Sequence, residues 1–146
     1  LMKVSYFMNR NIRTVRPDDT VMKAVKIMNK HHIGSVIVAK DWEAKGVITE
    51  RDILRRIVVK RKNPSKVSCR SIMSRPLITI ESANGVTEAV KIMVKNKIKR
   101  LAVTRKGRIV GMLTVSDVLR SGHKVEEAVL QELAKFFPLE KTGYGE

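Results

Sequence analysis

The chain repeats itself. Sliding it by 65 positions lays residues 8–55 over 73–120 without a gap, and about 17 of the aligned pairs are identical. About seven more pairs exchange one aliphatic residue for another. The run Ala24-Val25-Lys26-Ile27-Met28 returns unchanged as Ala89-Val90-Lys91-Ile92-Met93, and Met8, Arg10 and Thr14 return as Met73, Arg75 and Thr79. A repeat of this length is one supersecondary unit that cannot bury its apolar face alone. Two copies are too few for a solenoid, so the expected architecture is a closed pair.

Each copy carries the same turn. Gly46-Val47-Ile48-Thr49-Glu50-Arg51-Asp52 leads into Ile53-Leu54-Arg55, and Gly111-Met112-Leu113-Thr114-Val115-Ser116-Asp117 leads into Val118-Leu119-Arg120. β-Favouring apolar residues after a glycine, then Thr and Asp three apart before a helical pattern, read as a buried strand running into a helix. Such a turn presents free backbone N–H groups at the positive end of a helix, where a phosphate is favoured. The same Thr-x-x-Asp spacing is also that of a capping box, in which the side chains satisfy the helix-end N–H groups. The two roles are compatible.

Around the turns the pattern is β-α-β-β-α in both copies. In the first, Ile12–Val15 alternates like a short strand, and Pro17-Asp18-Asp19-Thr20 supplies a turn and capping residues. Val21, Ala24, Val25 and Met28 then form one apolar helical stripe. Ser35–Ala39 and Gly46–Thr49 are predicted strands around a polar turn at 41–45, and a helix from about Asp52 to Val59 closes the unit. The second copy predicts a strand near Leu77–Ile80, a helix near Val86–Lys95, strands at Leu101–Thr104 and Ile109–Thr114, and a helix from about Asp117. Asn63-Pro64-Ser65 breaks the chain between copies. Val125, Ala128, Val129, Leu133, Phe136 and Phe137 describe one more amphipathic helix, for core cover or dimer contact, before a tail at 142–146. The expected division is 1–62, 63–122 and 123–146.

The core of these 146 residues must be aliphatic and rich in methionine, because only 4% are aromatic while 43% are hydrophobic. No apolar run approaches the ~18 residues of a membrane span, and no signal-peptide pattern opens the chain. A single cysteine, Cys69, excludes an internal disulfide framework and fits a reducing cytosol. The formal net charge of +16 predicts attraction to anions. It is unevenly spread: from Arg55 to Arg70 seven basic residues meet no acid, and between Glu88 and Asp117 there is no carboxylate.

The unit order, the Gly-x-x-Thr-x-x-Asp turns and the tandem duplication resemble the CBS domain pair, or Bateman module, over residues about 8–120. The resemblance implies an α+β fold of two β-α-β-β-α units, packed sheet to sheet around a pseudo-two-fold axis, with two clefts that commonly bind adenosine-containing ligands. It also implies sensing rather than catalysis, a stand-alone pair, and a homodimer of modules. Asp52 and Asp117 would then accept both hydroxyls of a ribose, as an ionised carboxylate can. Thr49 and Thr114 would offer hydroxyls nearby. An adenine needs an apolar slot, and by resemblance its walls are Val47 or Met112, Ile33 or Ile98, and Val15 or Ile80, with Thr14 and Thr79 on the same strands. Lys99 and Arg100 match positions near the phosphates, whereas the first unit has Gly34 and Ser35 there. Arg51 opposite Ser116 predicts unequal clefts, with the one at Asp52 gaining more from additional phosphates.

Other signals are weak. His31-His32 has no partner at metal-ligand spacing, Cys69 has no neighbouring histidine, and no catalytic triad, carboxylate pair or phosphate-binding glycine loop occurs. The expectation is a cytosolic sensor that binds an adenine nucleotide and changes a partner's association. Nucleic-acid binding by the basic face is the alternative.

Overall fold

The computed structural model describes residues 2–75, 77–121 and 127–136. Each repeat folds around a three-stranded sheet. In the first, β1 (Thr14–Val15) pairs parallel with β2 (Ser35–Lys40), which pairs antiparallel with β3 (Glu43–Thr49). Helix α1 (Val21–His31) crosses between β1 and β2. The second sheet repeats this as β4 (Thr79–Glu81), β5 (Arg100–Arg105) and β6 (Arg108–Thr114), with α4 (Val86–Asn96) as the crossover. Short helices follow the last strands: α2 (Glu50–Ile53) and α5 (Val115–Arg120). Both crossover helices end on a residue forced to positive φ, His32 at 51° and Lys97 at 53°.

The expected units are therefore present, with local differences. The first strand is shorter than Ile12–Val15, and β3 begins at Glu43 rather than Gly46. The reason is the hairpin, where Asp41 and Trp42 both take positive φ (53° and 66°) and turn the chain within two residues. Helix α2 begins at Glu50, because Thr49 is its cap, and its end widens into a π turn over Leu54–Val58, closed by Val59 N–H donating to Leu54 O at 3.0 Å. That turn leaves Leu54, Val58 and Val59 exposed. The additional helix, α6 (Glu127–Phe136), lies against α4 and buries Leu133 completely. Val125, Phe137 and the tail at 142–146 lie outside the described residues.

The two sheets face each other. Ile37 and Ala102, fully buried, meet Ile109 in the seam, flanked by Ile12, Leu77 and Met112. Each unit has its own core on the helix side, built on Val21, Ala24 and Met28 in the first and on Val86, Ala89 and Met93 in the second.

What joins the units is a crossed pair of straps. The leading segment, a 3-10 turn over Val4–Tyr6, sits on the second unit: Val4 is fully buried there, and Asn9 exchanges both backbone hydrogen bonds with Met112, at 2.8 and 3.0 Å. The segment between the repeats does the reverse. Its helix α3 (Cys69–Ile72) and Met73 fill the first unit's core, and Ser74 exchanges backbone bonds with Val47 at 2.8 and 3.1 Å. A conserved-offset glycine admits each strap. A Cβ on Gly46 would stand 2.8 Å from Ser74 O and 2.9 Å from Met73 Sδ; on Gly111 it would stand 2.9 Å from Asn9 O and 2.8 Å from Met8 Sδ.

Two predictions follow from these straps. Overpacking against backbone costs about 1–3 kcal/mol, so Gly46→Ala and Gly111→Ala should each lower stability by that amount in urea titrations. The second concerns Cys69, whose thiol donates to Thr20 O at 3.4 Å. Burial pushes it up from 9.0 to about 11, with Asp19 adding to the effect. The thiol therefore stabilises the fold below the unfolded value. That contribution, about 2–3 kcal/mol, is lost as pH rises from about 9 through about 11, because the unfolded chain ionises first. The stability advantage of the wild type over Cys69→Ala should shrink by about 2 kcal/mol between about pH 8 and pH 11. A constant difference would show that Cys69 does not titrate in this way.

Candidate functional site

Both Thr-x-x-Asp turns are capping boxes. Thr49 and Thr114 hold nearly the same extended backbone, φ −114° with ψ 166° and 161°. The Asp52 N–H donates to Thr49 Oγ1 at 3.2 Å, and the Thr49 N–H returns a bond to Asp52 Oδ2 at 2.9 Å. The corresponding distances at Thr114 and Asp117 are 3.1 and 2.9 Å. One oxygen of each carboxylate is thus committed to its helix, and the remaining acceptor capacity decides what else the turn can do.

Here the repeats part. Asp52 also accepts the Thr49 hydroxyl at 3.1 Å, and its Oδ1 accepts Ser74 Oγ from the strap at 2.9 Å, with Arg56 Nε at 3.8 Å. A carboxylate has about four lone-pair sites, so Asp52 is close to saturated, and it is only 6% exposed. At Asp117 the strap residue in register with Ser74 is Asn9, whose Oδ1 is turned to the Asn11 N–H at 2.9 Å. Among the described residues, Asp117 Oδ1 takes only Arg120.

Asp117 opens on a cavity of about 230 Å³ between the units. Its floor is apolar, from Ile12, Ile33, Ile37 and Met112; its polar groups are Asn9, Asn11, Ser35, Thr114 and Asp117. Three guanidiniums, of Arg13, Arg100 and Arg120, complete the wall. The volume lies a little below the ~300–1,000 Å³ usual for ligand sites. Wider grooves of about 480 and 470 Å³ run over the outer helix faces, but neither carries an Asp-Thr pair with convergent cations.

Arg100 belongs to both halves. It starts β5 opposite Thr114 and lines the cavity at Asp117. Burial pushes its guanidinium down from the ordinary arginine value, while Glu50 and Asp52 of the first turn hold it up.

Of the residues singled out in the sequence, the cavity brings together Ile33, Gly34, Ser35, Arg100, Met112, Thr114 and Asp117. Val47, Thr49 and Asp52 form the other turn, closed by Ser74. Val15 and Ile80 do not reach a cleft: at 2% and 4% exposed they point into the helix-side cores, which the period-two alternation of a strand requires once Ile12 and Leu77 face the seam. Thr14 and Thr79 are exposed, and Ile98 packs on the second unit's core. Lys99 contributes its carbonyl, which accepts the Val115 N–H at 2.9 Å, as Gly34 O accepts the Glu50 N–H at 3.1 Å. Arg51 and Ser116 both point outward.

Arg100, singled out in the sequence, stands in the cationic wall. Its two other members, Arg13 and Arg120, are ones that sequence reasoning missed. Arg120 carried a usable signal, being three residues beyond Asp117 on one helix face. Asn9, Asn11, Ile12 and Arg13 carried a weaker one: their proximity follows from the crossing of the straps, which only Gly111 announces. Among the described residues, no three His, Cys, Asp or Glu side chains gather as a metal site needs.

Comparison with known proteins places this geometry. The CBS domain family profile matches twice, at residues 4–59 and 69–124. An uncharacterized protein of Methanopyrus kandleri is 37% identical over 129 residues, 87% of this chain and 66% of that protein. A mitochondrial CBS domain-containing protein of Arabidopsis thaliana is 35% identical over 121 residues, 80% of this chain and 59% of its own length. The chain thus spans less than two thirds of each of these relatives. A solved structure of a CBS domain protein from Pyrobaculum aerophilum, complexed with AMP, superposes with a TM-score of 0.76 at 25% identity, over 92% of this chain and 99% of that one. With both repeats matched and paired sheet to sheet, the chain belongs to the CBS domain family as a tandem pair.

Proposed function

We propose that this CBS pair is a regulatory sensor that binds an adenine nucleotide in the cavity at Asp117, and that occupancy alters its association with a partner. The observation that carries this reading is one carboxylate with spare acceptor capacity, set between an apolar slot and three guanidiniums. Ile12, Ile33, Ile37 and Met112 suit a flat base, Asp117 suits the ribose diol, and Arg13, Arg100 and Arg120 suit phosphates. The AMP complex of the Pyrobaculum protein supports the ligand class. The role is sensing rather than catalysis, in keeping with the commitment of Thr114 and Asp117 to the helix cap. The exposed Leu54, Val58 and Val59 support self-association of modules into a homodimer. The buried, un-ionised thiol of Cys69 is at home in a reducing cytosol.

The two turns then have different tasks, with Asp117 reading ligand and Asp52 holding a strap. Additional phosphates favour binding at Asp117, where the arginines are, and Arg51 takes no part.

Calorimetry with AMP, 2′-deoxy-AMP and ATP tests the assignment. The wild type should prefer AMP over its deoxy form by about 5–150-fold, the equivalent of about 1–3 kcal/mol for an underused buried acceptor. Asp117→Asn should abolish that preference; Asp52→Asn should keep it while lowering stability. Arg13→Ser should reduce the ATP-to-AMP ratio and Arg51→Ser should not. Retention of the ribose preference in Asp117→Asn would overturn the assignment.

A further inference from the structure

The nucleotide reading leaves most of the positive charge unused. Of 30 lysines and arginines, those placed at the cavity are three. The acid-free run from Arg55 to Arg70 lies elsewhere, and the fold gives part of it a shape. A groove of about 470 Å³ runs along the outer face of α1, lined by Thr20, Met22, Lys23, Lys26, Ile27, Lys30 and Ser65.

Its other side is closed by Ser65, on the loop that follows the π turn; Lys60, Arg61, Lys62 and Lys66 flank that residue in the same stretch of chain. That loop is tied down. Pro64 O accepts the Met22 N–H and Val67 O accepts the Val21 N–H, both at 2.9 Å, and Asn63 holds Ser65 and Lys66 through bonds of 2.9 Å. Lys26, Lys30, Lys60, Arg61, Lys62 and Lys66 are all exposed, and among the described residues none has a carboxylate within 4 Å. Lys23 alone is paired, to Asp19 at 3.2 Å.

We infer that this groove is a binding surface for the phosphate backbone of a nucleic acid, read without regard to base sequence. Three arguments carry it. Lys23, Lys26 and Lys30 fall at i, i+3 and i+7, a row about 10 Å long at 1.5 Å per residue. Each strand of a duplex presents a charge about every 3.4 Å, so the row faces about three phosphates and the loop serves the next ones. The groove contains no aromatic side chain on which a base could stack. Its apolar members, Met22 and Ile27, are half-buried in the groove floor, whereas a membrane-surface helix needs a broad exposed apolar face.

The repeat supplies its own control. Lys91 and Lys95 on α4 are the second-unit counterparts of Lys26 and Lys30, but Glu88 stands where the first unit has Lys23. The test uses the full chain, a labelled mixed-sequence RNA 20-mer and fluorescence anisotropy from about 50 to 200 mM salt. With about five or six phosphates contacted, log K should fall against log salt with a slope of about −3.5 to −5.5, roughly 0.7 per contact on a single strand and 0.9 on a duplex. The triple variant Lys26→Gln, Lys30→Gln, Lys66→Gln should bind at least ~10-fold more weakly with a slope shallower by about 2–3. Lys91→Gln, Lys95→Gln, Lys97→Gln, with the same change in charge, should lose less than ~3-fold. Both variants should melt like the wild type, since all six side chains are exposed.

Equal losses in the two triples would reduce the effect to diffuse net charge and overturn the groove. So would competition by saturating AMP, which would put the RNA in the nucleotide cavity. Loss of binding to phosphatidylglycerol vesicles but not to RNA in the first triple would assign the groove to a lipid surface instead.

Discussion

The close approach of two backbone segments at Gly46 and at Gly111 is the constraint on which the module rests. Each glycine lets a strap from one repeat lie on the last strand of the other, with a carbonyl under 3 Å from where a Cβ would be. The straps bring methionines into the cores they cross, Met73 into the first and Met8 into the second. They also bring the residues after those methionines to the mouths of the clefts. The sheet seam of Ile37, Ala102 and Ile109 could join two units in several registers, being small and apolar. The paired hydrogen bonds of Asn9 with Met112, and of Ser74 with Val47, admit one.

Duplication made two similar clefts, and single positions on the straps made them different. Where one strap has Ser74, its hydroxyl reaches Asp52 and occupies the carboxylate. The other has Asn9, whose side chain bonds its own backbone two residues on, leaving Asp117 to Arg120 and the cavity. Four residues later the same strap brings Arg13 to the cavity, whereas its counterpart at the repeat offset, the apolar Ile78, packs on the second unit's core. The electrostatic contrast between the halves is thus set outside the shared turn motif.

This separates what the sequence could disclose from what it could not. Local structure was legible because it is written in short periods: the stripe of Val21, Ala24, Val25 and Met28, the Thr-Asp spacing of each helix cap, and the breaks at Pro17 and Pro64. The repeat multiplied that signal. The pairing of sheets was accessible through resemblance. The strap crossing was not, since Met8 and Met73 are consistent with packing on either unit, and helix α3 is a single turn with no periodicity to see. The resemblance puts Val15 and Ile80 on the cleft walls, and only the register of these short strands in the sheet turns them to the helix side. Arg13 was hidden by the crossing itself: it is far from Arg120 in the chain, and the two line one cavity only once the straps have crossed.

The crossing also has a consequence for how the molecule holds together as a whole. Each core is finished by a piece of the other repeat: Val4 and Met8 complete the second, and Cys69, Ile72 and Met73 the first. Neither half can melt without withdrawing part of its neighbour's interior, so the two repeats form a single cooperative unit rather than two beads on a string. Free energy released by a ligand at one cleft is then shared across both halves, even where the second cleft stays empty. A pair built this way needs only one working pocket to report on the state of the entire domain.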